Sequence, residues 1–272
     1  MRNFIGSRVL TGILLSSCYE FHKVMKSDDY QLKYKKAQEL YTEQEFGRAL
    51  ELLESIRPIY RGTEHAPRID YLIANSYFKQ GQYILAGYHF RNLAQTFPNS
   101  AYTREADYMS AYCYYLESPR YSLDQSSTKK AIEAFQTYMR KYPQSNKIEE
   151  CNKYIDEMRG KLAKKAYKSS KFYLELGDYK AAAVALRNTL NNFPASKYRE
   201  DLLFNILKAN FLLAENSVES KQQERYKQTI KSYYPLVDEY PDSPHIEKAK
   251  SYFSKSQEAL KNMKEEQLTS NY

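Results

Sequence analysis

Laid against itself with a shift of 37 residues, the first half of this chain repeats. Tyr34, Tyr71 and Tyr108 coincide, as do Ala37, Ala74 and Ala111, and then Tyr41, Phe78 and Tyr115. A unit of that length cannot bury a hydrophobic face by itself, so a chain built from such units folds by stacking neighbours into a continuous core. Inside each unit the apolar residues stand three and four apart, as at Ile73, Tyr77, Phe90 and Leu93. That is the period of a helix and not the alternation of a strand. Alanine returns in the second part of the unit at Ala49, Ala86, Ala131 and Ala182, where close approach of two helices tolerates only a small side chain.

The punctuation repeats as well. Phe97-Pro98-Asn99-Ser100, Tyr142-Pro143-Gln144-Ser145, Phe193-Pro194-Ala195-Ser196 and Tyr240-Pro241-Asp242-Ser243 all read aromatic-Pro-x-Ser. Proline lacks an N–H and stops the outgoing helix, and the serine is expected to accept from the free N–H groups of the incoming helix as its N-cap. Pro244 is expected at the first helical position. Gly81-Gln82 marks a turn inside unit two, and Gly62 is expected to end unit one. Five units are visible. Unit three carries eight extra residues around Ser118–Gln125, and unit five a similar excess near Asn216–Gln223. Unit four opens with a helical pattern running from Ser145 to Leu176, and Pro244–Lys264 reads as a last amphipathic helix before a polar tail, 265–272.

The most regular unit, Arg68–Pro98, holds Ile73-Ala74, Tyr77-Phe78, Gly81-Gln82-Tyr83, Ala86, Phe90, Leu93 and Phe97-Pro98. It resembles the tetratricopeptide repeat, a helix, a turn and a second helix. The resemblance implies an all-α fold over residues 30–264: a right-handed superhelical stack of five tetratricopeptide-like helix pairs with a C-terminal capping helix.

The amino terminus bears on the compartment. Residues 1–17 hold Arg2 and Arg8, no acid, and the apolar run Val9–Leu15. This is the layout of a cleaved secretory signal and is too short to span a bilayer. Leu15-Ser16-Ser17-Cys18 resembles a bacterial lipobox, which implies lipidation of Cys18, a membrane held by that anchor, and a tether over 18–29. An ordinary signal peptide with Cys18 as a spare thiol is the other reading. Removing residues 1–17 lowers the formal charge from +8 to +6. Lys and Glu are interspersed along the rest, so nucleic acid is not the expected partner.

Chemistry-bearing motifs are absent. His22, His65, His89 and His245 are scattered, Cys113 and Cys151 sit among apolar helical neighbours as two buried free thiols, and no phosphate loop or nucleophile elbow occurs. No metal, cofactor or catalytic residue is expected, and the chain reads as a binding protein. By the tetratricopeptide resemblance, the groove-facing positions of each first helix hold Tyr34, Gln38 and Tyr41 in unit one and Tyr71, Asn75 and Phe78 in unit two. In unit three they hold Tyr108, Tyr112 and Tyr115. Tyr167 continues the first series in unit four. Tyrosine gives large contact area at small entropic cost, which suits an extended peptide. Packing of the same rings into the core is the alternative, and the pattern alone leaves both open.

Lipobox, five units, the insertion containing Ser118-Pro119-Arg120 and Leu123-Asp124-Gln125, and the aromatic-Pro-x-Ser punctuation together resemble the BamD family of outer-membrane β-barrel assembly lipoproteins. The resemblance spans Cys18 to Lys264. It implies a periplasm-facing, lipid-anchored protein of a Gram-negative outer membrane. Such a protein docks on the POTRA region of a BamA-like barrel and receives the aromatic-ended carboxyl-terminal segments of unfolded barrel proteins. The tyrosine positions then form the substrate groove, and Lys180, Arg187 and Arg199 are the nominees on the BamA side. A generic periplasmic repeat adaptor fits the repeats as well. A glycan-uptake lipoprotein would want exposed Trp, and the chain has none.

Overall fold

The computed structural model describes residues 19–269; Cys18 and the signal-like segment 1–17 lie outside the described residues. Helices α1 (19–25), α2 (Tyr30–Thr42), α3 (Phe46–Ile56), α4 (Ala66–Lys79), α5 (Tyr83–Thr96), α6 (Thr103–Leu116) and α7 (Ser126–Lys141) come first. They are followed by α8 (Ile148–Glu175), α9 (Tyr179–Asn192), α10 (Arg199–Glu215), α11 (Glu219–Glu239) and α12 (Ile246–Thr269). No strand occurs among the described residues. The fold is all-α, and from α2 to α11 the helices come in pairs, one pair for each expected unit.

Two compact units divide the chain. The first holds the residues up to Pro119 together with Asp124–Met158; the second holds Arg120–Leu123 and the residues from Arg159 on. In the first, Leu52, Leu53, Ile56, Ile73, Phe90, Leu93 and Phe135 are fully buried. In the second, Leu186, Leu202, Leu207 and Leu236 play that part. The alanines of both series, Ala37, Ala74 and Ala111 and then Ala49, Ala86, Ala131 and Ala182, are also fully buried, as close helix packing requires. Gly87 marks one tight approach: a Cβ there would meet the Cys113 Cβ at 3.1 Å.

The turn inside a pair is built the same way three times. Gly81 (φ 74°) and Gly177 (φ 80°) are left-handed, and the next residue donates its N–H to the carbonyl five residues back: Gln82 to Tyr77 at 3.0 Å, Asp178 to Tyr173 at 3.1 Å. This is a glycine-type helix cap. In the first pair Gln44 holds the same conformation (φ 64°), with Glu45 donating to the Leu40 carbonyl at 2.8 Å. α3 already stops at Ile56, so Gly62 (φ 83°) bends the connection and does not end the helix.

The aromatic-Pro-x-Ser segments are four copies of one turn. The carbonyls of Phe97, Tyr142, Phe193 and Tyr240 accept from the N–H of Ser100, Ser145, Ser196 and Ser243 at 3.0–3.1 Å. The serine side chain does not cap the incoming helix as expected. Ser100, Ser145 and Ser243 accept from the N–H two residues on, at 3.2 Å each, inside a further turn that precedes the helix. Pro244 consequently lies in that turn, two residues before α12 begins. The long helical pattern of unit four is α8. The excess in unit five lengthens α11 to 21 residues instead of forming a loop. The segment expected as a tether is helical over 19–25, and Phe21 is buried against Leu40 and its neighbours in the first core. α12 extends past Lys264 into the expected tail.

Candidate functional site

The first row of the aromatic series is a set of clamped rings. Each unit's ring is covered by a residue that opens the following unit. His65 meets Tyr34 (centroids 5.5 Å apart), Tyr102 stacks on Tyr71 (4.8 Å), and the Lys147 Nζ sits 4.9 Å above Tyr108. In the second compact unit Tyr198 stacks on Tyr167 (4.7 Å) and His245 on Phe204 (4.2 Å). The last four covering residues stand two positions after the serine of each aromatic-Pro-x-Ser turn, so the turn delivers them. Rings held against an aromatic or a cation, flat in three of the five cases, join one unit to the next. Tyr108 is the extreme case, only 7% exposed and packed against Phe135 and Tyr138.

The second and third rows differ. Tyr112 lies between Tyr108 and Tyr115 on α6, nearly parallel to both, at 6.0 and 5.8 Å. Across from it stand Phe78 of α4 at 6.2 Å and Tyr154 of α8 at 5.5 Å, and Tyr154 also meets Tyr115 at 4.3 Å. Tyr83 closes on Phe78 at 5.5 Å, and Tyr41 packs edgewise on Phe46 at 5.4 Å. Apart from buried Tyr108, all these rings are half-buried. The structure thus brings Phe78, Tyr112 and Tyr115 into one aromatic wall and completes it with Tyr154. The 37-residue shift does not reach Tyr154: with the eight extra residues of unit three allowed for, it aligns with Met109, outside the aromatic series.

Carboxylates line the wall. Tyr71 donates to Glu105 at 2.8 Å and accepts from the Asn75 Nδ2 at 3.2 Å; Tyr115 donates to Glu157 at 2.7 Å, and Tyr154 to Glu150 at 2.9 Å. The Glu157 bond, with burial, pushes the Tyr115 hydroxyl up to about 12. Burial first, and then the carboxylates, raise Tyr71, Tyr108 and Tyr154 as well. Lys147 pairs with Glu150 at 2.8 Å and holds its carboxyl below the usual range. The Tyr34 hydroxyl is buried without a hydrogen-bond partner. With their protons committed to carboxylates, Tyr115 and Tyr154 present ring surface and accepting oxygens. The matching ligand surface is apolar or aromatic with N–H donors beside it.

In the second compact unit Lys180 and Arg187 are exposed on α9. Arg199, the first residue of α10, is committed to Glu239: its Nε and Nη2 hold the two carboxylate oxygens at 2.6 and 2.7 Å. The bidentate bond lowers the Glu239 carboxyl below its usual range.

Cys113 and Cys151 are free and buried, and burial pushes their thiols up to about 12 and about 11. Such thiols are poor nucleophiles. Among the described residues no cluster of His, Cys, Asp and Glu could hold a metal ion, and no helix is long and apolar enough to cross a membrane.

Comparison with known proteins places this architecture. A protein of Aquifex aeolicus (strain VF5), named as outer membrane protein assembly factor BamD, is 27% identical over 251 residues, 89% of this chain and 79% of its own length. The outer membrane protein assembly factor BamD of Caulobacter vibrioides is 22% identical over 120 residues, 44% of this chain and 39% of its own. Among solved structures, the tetratricopeptide-repeat domain of P58(IPK) superposes with a TM-score of 0.41 at 14% identity, covering 88% of this chain and 67% of that one. The profile of the family YfiO, outer membrane lipoprotein, matches residues 26–225, and the chain belongs to that family.

Proposed function

We propose that this protein is a non-catalytic scaffold and receptor of outer-membrane β-barrel assembly. On this reading it is anchored by a lipid on Cys18, faces the periplasm, and docks on the POTRA region of a BamA-like barrel. Family membership and the two relatives named as assembly factors support the setting. The observation that carries the binding role is the continuous wall of Phe78, Tyr112, Tyr115 and Tyr154 in the first compact unit.

On that wall an unfolded barrel segment lays its aromatic and apolar side chains against ring surface. Tyr41 and Asn75 extend the contact at the side of units one and two. Tyr34, Tyr71 and Tyr108 hold the wall in place from behind, each clamped by the opening residue of the next unit. Lys180 and Arg187 are the exposed cations for the barrel partner. Arg199 would have to share or exchange its Glu239 bond to join them.

The test has two arms. Tagged protein purified from detergent-solubilised outer membranes should carry a POTRA-bearing barrel in near-equal amount; recovery of only glycan transporters or cell-wall proteins sinks the assembly role. Peptides from the carboxyl termini of barrel proteins should bind the native chain and lose most of that binding with Tyr112→Ala and Tyr115→Ala. Unchanged binding with a native helical spectrum removes the wall from the account.

A further inference from the structure

The second half of α8 carries a surface that the wall does not use. Between Lys161 and Leu176 the sequence holds five lysines, Lys161, Lys164, Lys165, Lys168 and Lys171, against one acid, Glu175; Asp178 follows in the next turn. The helix buries Ala163, Tyr167, Ser170 and Leu174. At 3.6 residues per turn, Lys161, Lys165, Lys168 and Phe172 then fall on the opposite stripe, with Lys164 and Lys171 beside it. Phe172 is 55% exposed, and Leu176, four residues on, is 63% exposed.

The segment Arg120–Leu123 of the unit-three insertion completes this surface. Lys164 Nζ lies 4.4 Å above the Tyr121 ring, and Lys165 Nζ donates to the Leu123 carbonyl at 2.6 Å. These contacts bring Leu123, 49% exposed, beside the same stripe. The second compact unit therefore presents exposed Leu123, Phe172 and Leu176 among lysines whose aliphatic stems extend the apolar area.

We infer that this face lies on an anionic membrane surface, with Phe172, Leu176 and Leu123 in the headgroup layer and the lysines on its phosphates. The composition selects a lipid surface over an acidic protein. Every cation from Lys161 to Lys180 is lysine, and Arg120 of the insertion is the one arginine among the residues assigned to this face. Protein interfaces are enriched in arginine, whose fork fits single carboxylates, and depleted in lysine. A diffuse negative surface needs only point charges on long stems with aromatic and leucine side chains between them. The chain's membership of an outer membrane lipoprotein family sets it beside such a surface. The inference is independent of what occupies the tyrosine wall.

The chain contains no Trp, so a single Trp reports its own position. The Phe172→Trp chain, and separately Leu176→Trp, each with Cys18→Ala, are titrated with phosphatidylglycerol vesicles, phosphatidylcholine vesicles and poly-glutamate. A blue-shifted, brighter emission is expected on phosphatidylglycerol alone, weakening as salt rises. Adding Lys168→Glu and Lys171→Glu should lower apparent partitioning at least about tenfold. Val218→Trp, exposed elsewhere in the second compact unit, should not shift, which separates this face from any insertion by residues 1–17. No shift at either position with native circular dichroism overturns the inference. So does an equal shift on phosphatidylcholine, and so does a shift on poly-glutamate but not on vesicles, which would assign the face to an acidic protein.

Discussion

Tyr102 lies against Tyr71 with centroids 4.8 Å apart and planes 28° from parallel. The aromatic-Pro-x-Ser turn sets Tyr102 two residues past Ser100, at the threshold of α6, so the ring is pressed onto the unit before it. His245 on Phe204 repeats the arrangement with an imidazole. Tyr102→Ala should therefore lower stability by about 1–2 kcal/mol, from lost ring area and the lost aromatic pair. Tyr102→His should recover most of it. Urea denaturation of the three proteins checks this, and an alanine variant as stable as the parent would remove the clamp from the account.

Tyr108 and Tyr112 stand one helical turn apart on α6 and should respond differently. Tyr108 is buried against Phe135 and Tyr138, so Tyr108→Ala should cost about 3–5 kcal/mol, the usual range for a large buried aromatic. Tyr112 is half-buried and should tolerate alanine with a smaller loss while peptide binding falls. Thermal unfolding alongside a peptide titration separates the two. Equal loss of stability at both positions would make the whole series core.

That contrast marks where sequence reasoning stops. The 37-residue shift locates Tyr34, Tyr71 and Tyr108, and the buried alanines, because stacking forces the same environment onto the same repeat position. It cannot tell a clamped ring from an accessible one. Tyr108 is covered by Phe135 and Tyr138 of α7, and Tyr71 by Tyr102, contacts that depend on neighbouring helices. The clamping residues were in plain view at serine plus two, but they are Tyr, Lys, Tyr and His, with no shared residue type to reveal the position. Aromatic-Pro-x-Ser predicted a helix stop correctly and misassigned the serine, whose hydroxyl is used one turn before the helix begins.

The tyrosines also make stability depend on alkaline pH. Tyr77, Tyr115 and Tyr167 are pushed up to about 12: Tyr115 chiefly by its bond to Glu157, Tyr77 and Tyr167 chiefly by burial. In the unfolded chain they titrate near the ordinary value of about 10. Between these values the unfolded state loses protons that the folded state keeps. The stabilisation is therefore complete below about pH 10 and is lost as pH rises toward 12. The urea midpoint should fall across that window. Glu157→Gln should return Tyr115 toward its ordinary value and make the fall shallower. A midpoint flat from pH 9.5 to 11.5 would contradict the tyrosine–carboxylate geometry.

Gln44 occupies, in the first helix pair, the left-handed position that Gly81 and Gly177 fill in the second and fourth. The turn is the same in all three, since Glu45, Gln82 and Asp178 each donate to the carbonyl five residues back. A residue with a Cβ pays roughly 1–2 kcal/mol for that conformation, and glycine avoids it at some cost in unfolded-state entropy. Gln44 is exposed and makes no packing contribution that glycine would forfeit. Gln44→Gly should thus stabilise the protein by about 0.5–1 kcal/mol, whereas Gly81→Ala should destabilise it by a comparable amount. The Cβ of that alanine would clash with nothing within 4 Å, so the loss would come from backbone strain alone. Paired thermal melts of the two variants decide it. Opposite shifts establish that this cap is set by backbone conformation, and a destabilised Gln44→Gly would show that the glutamine side chain holds the turn.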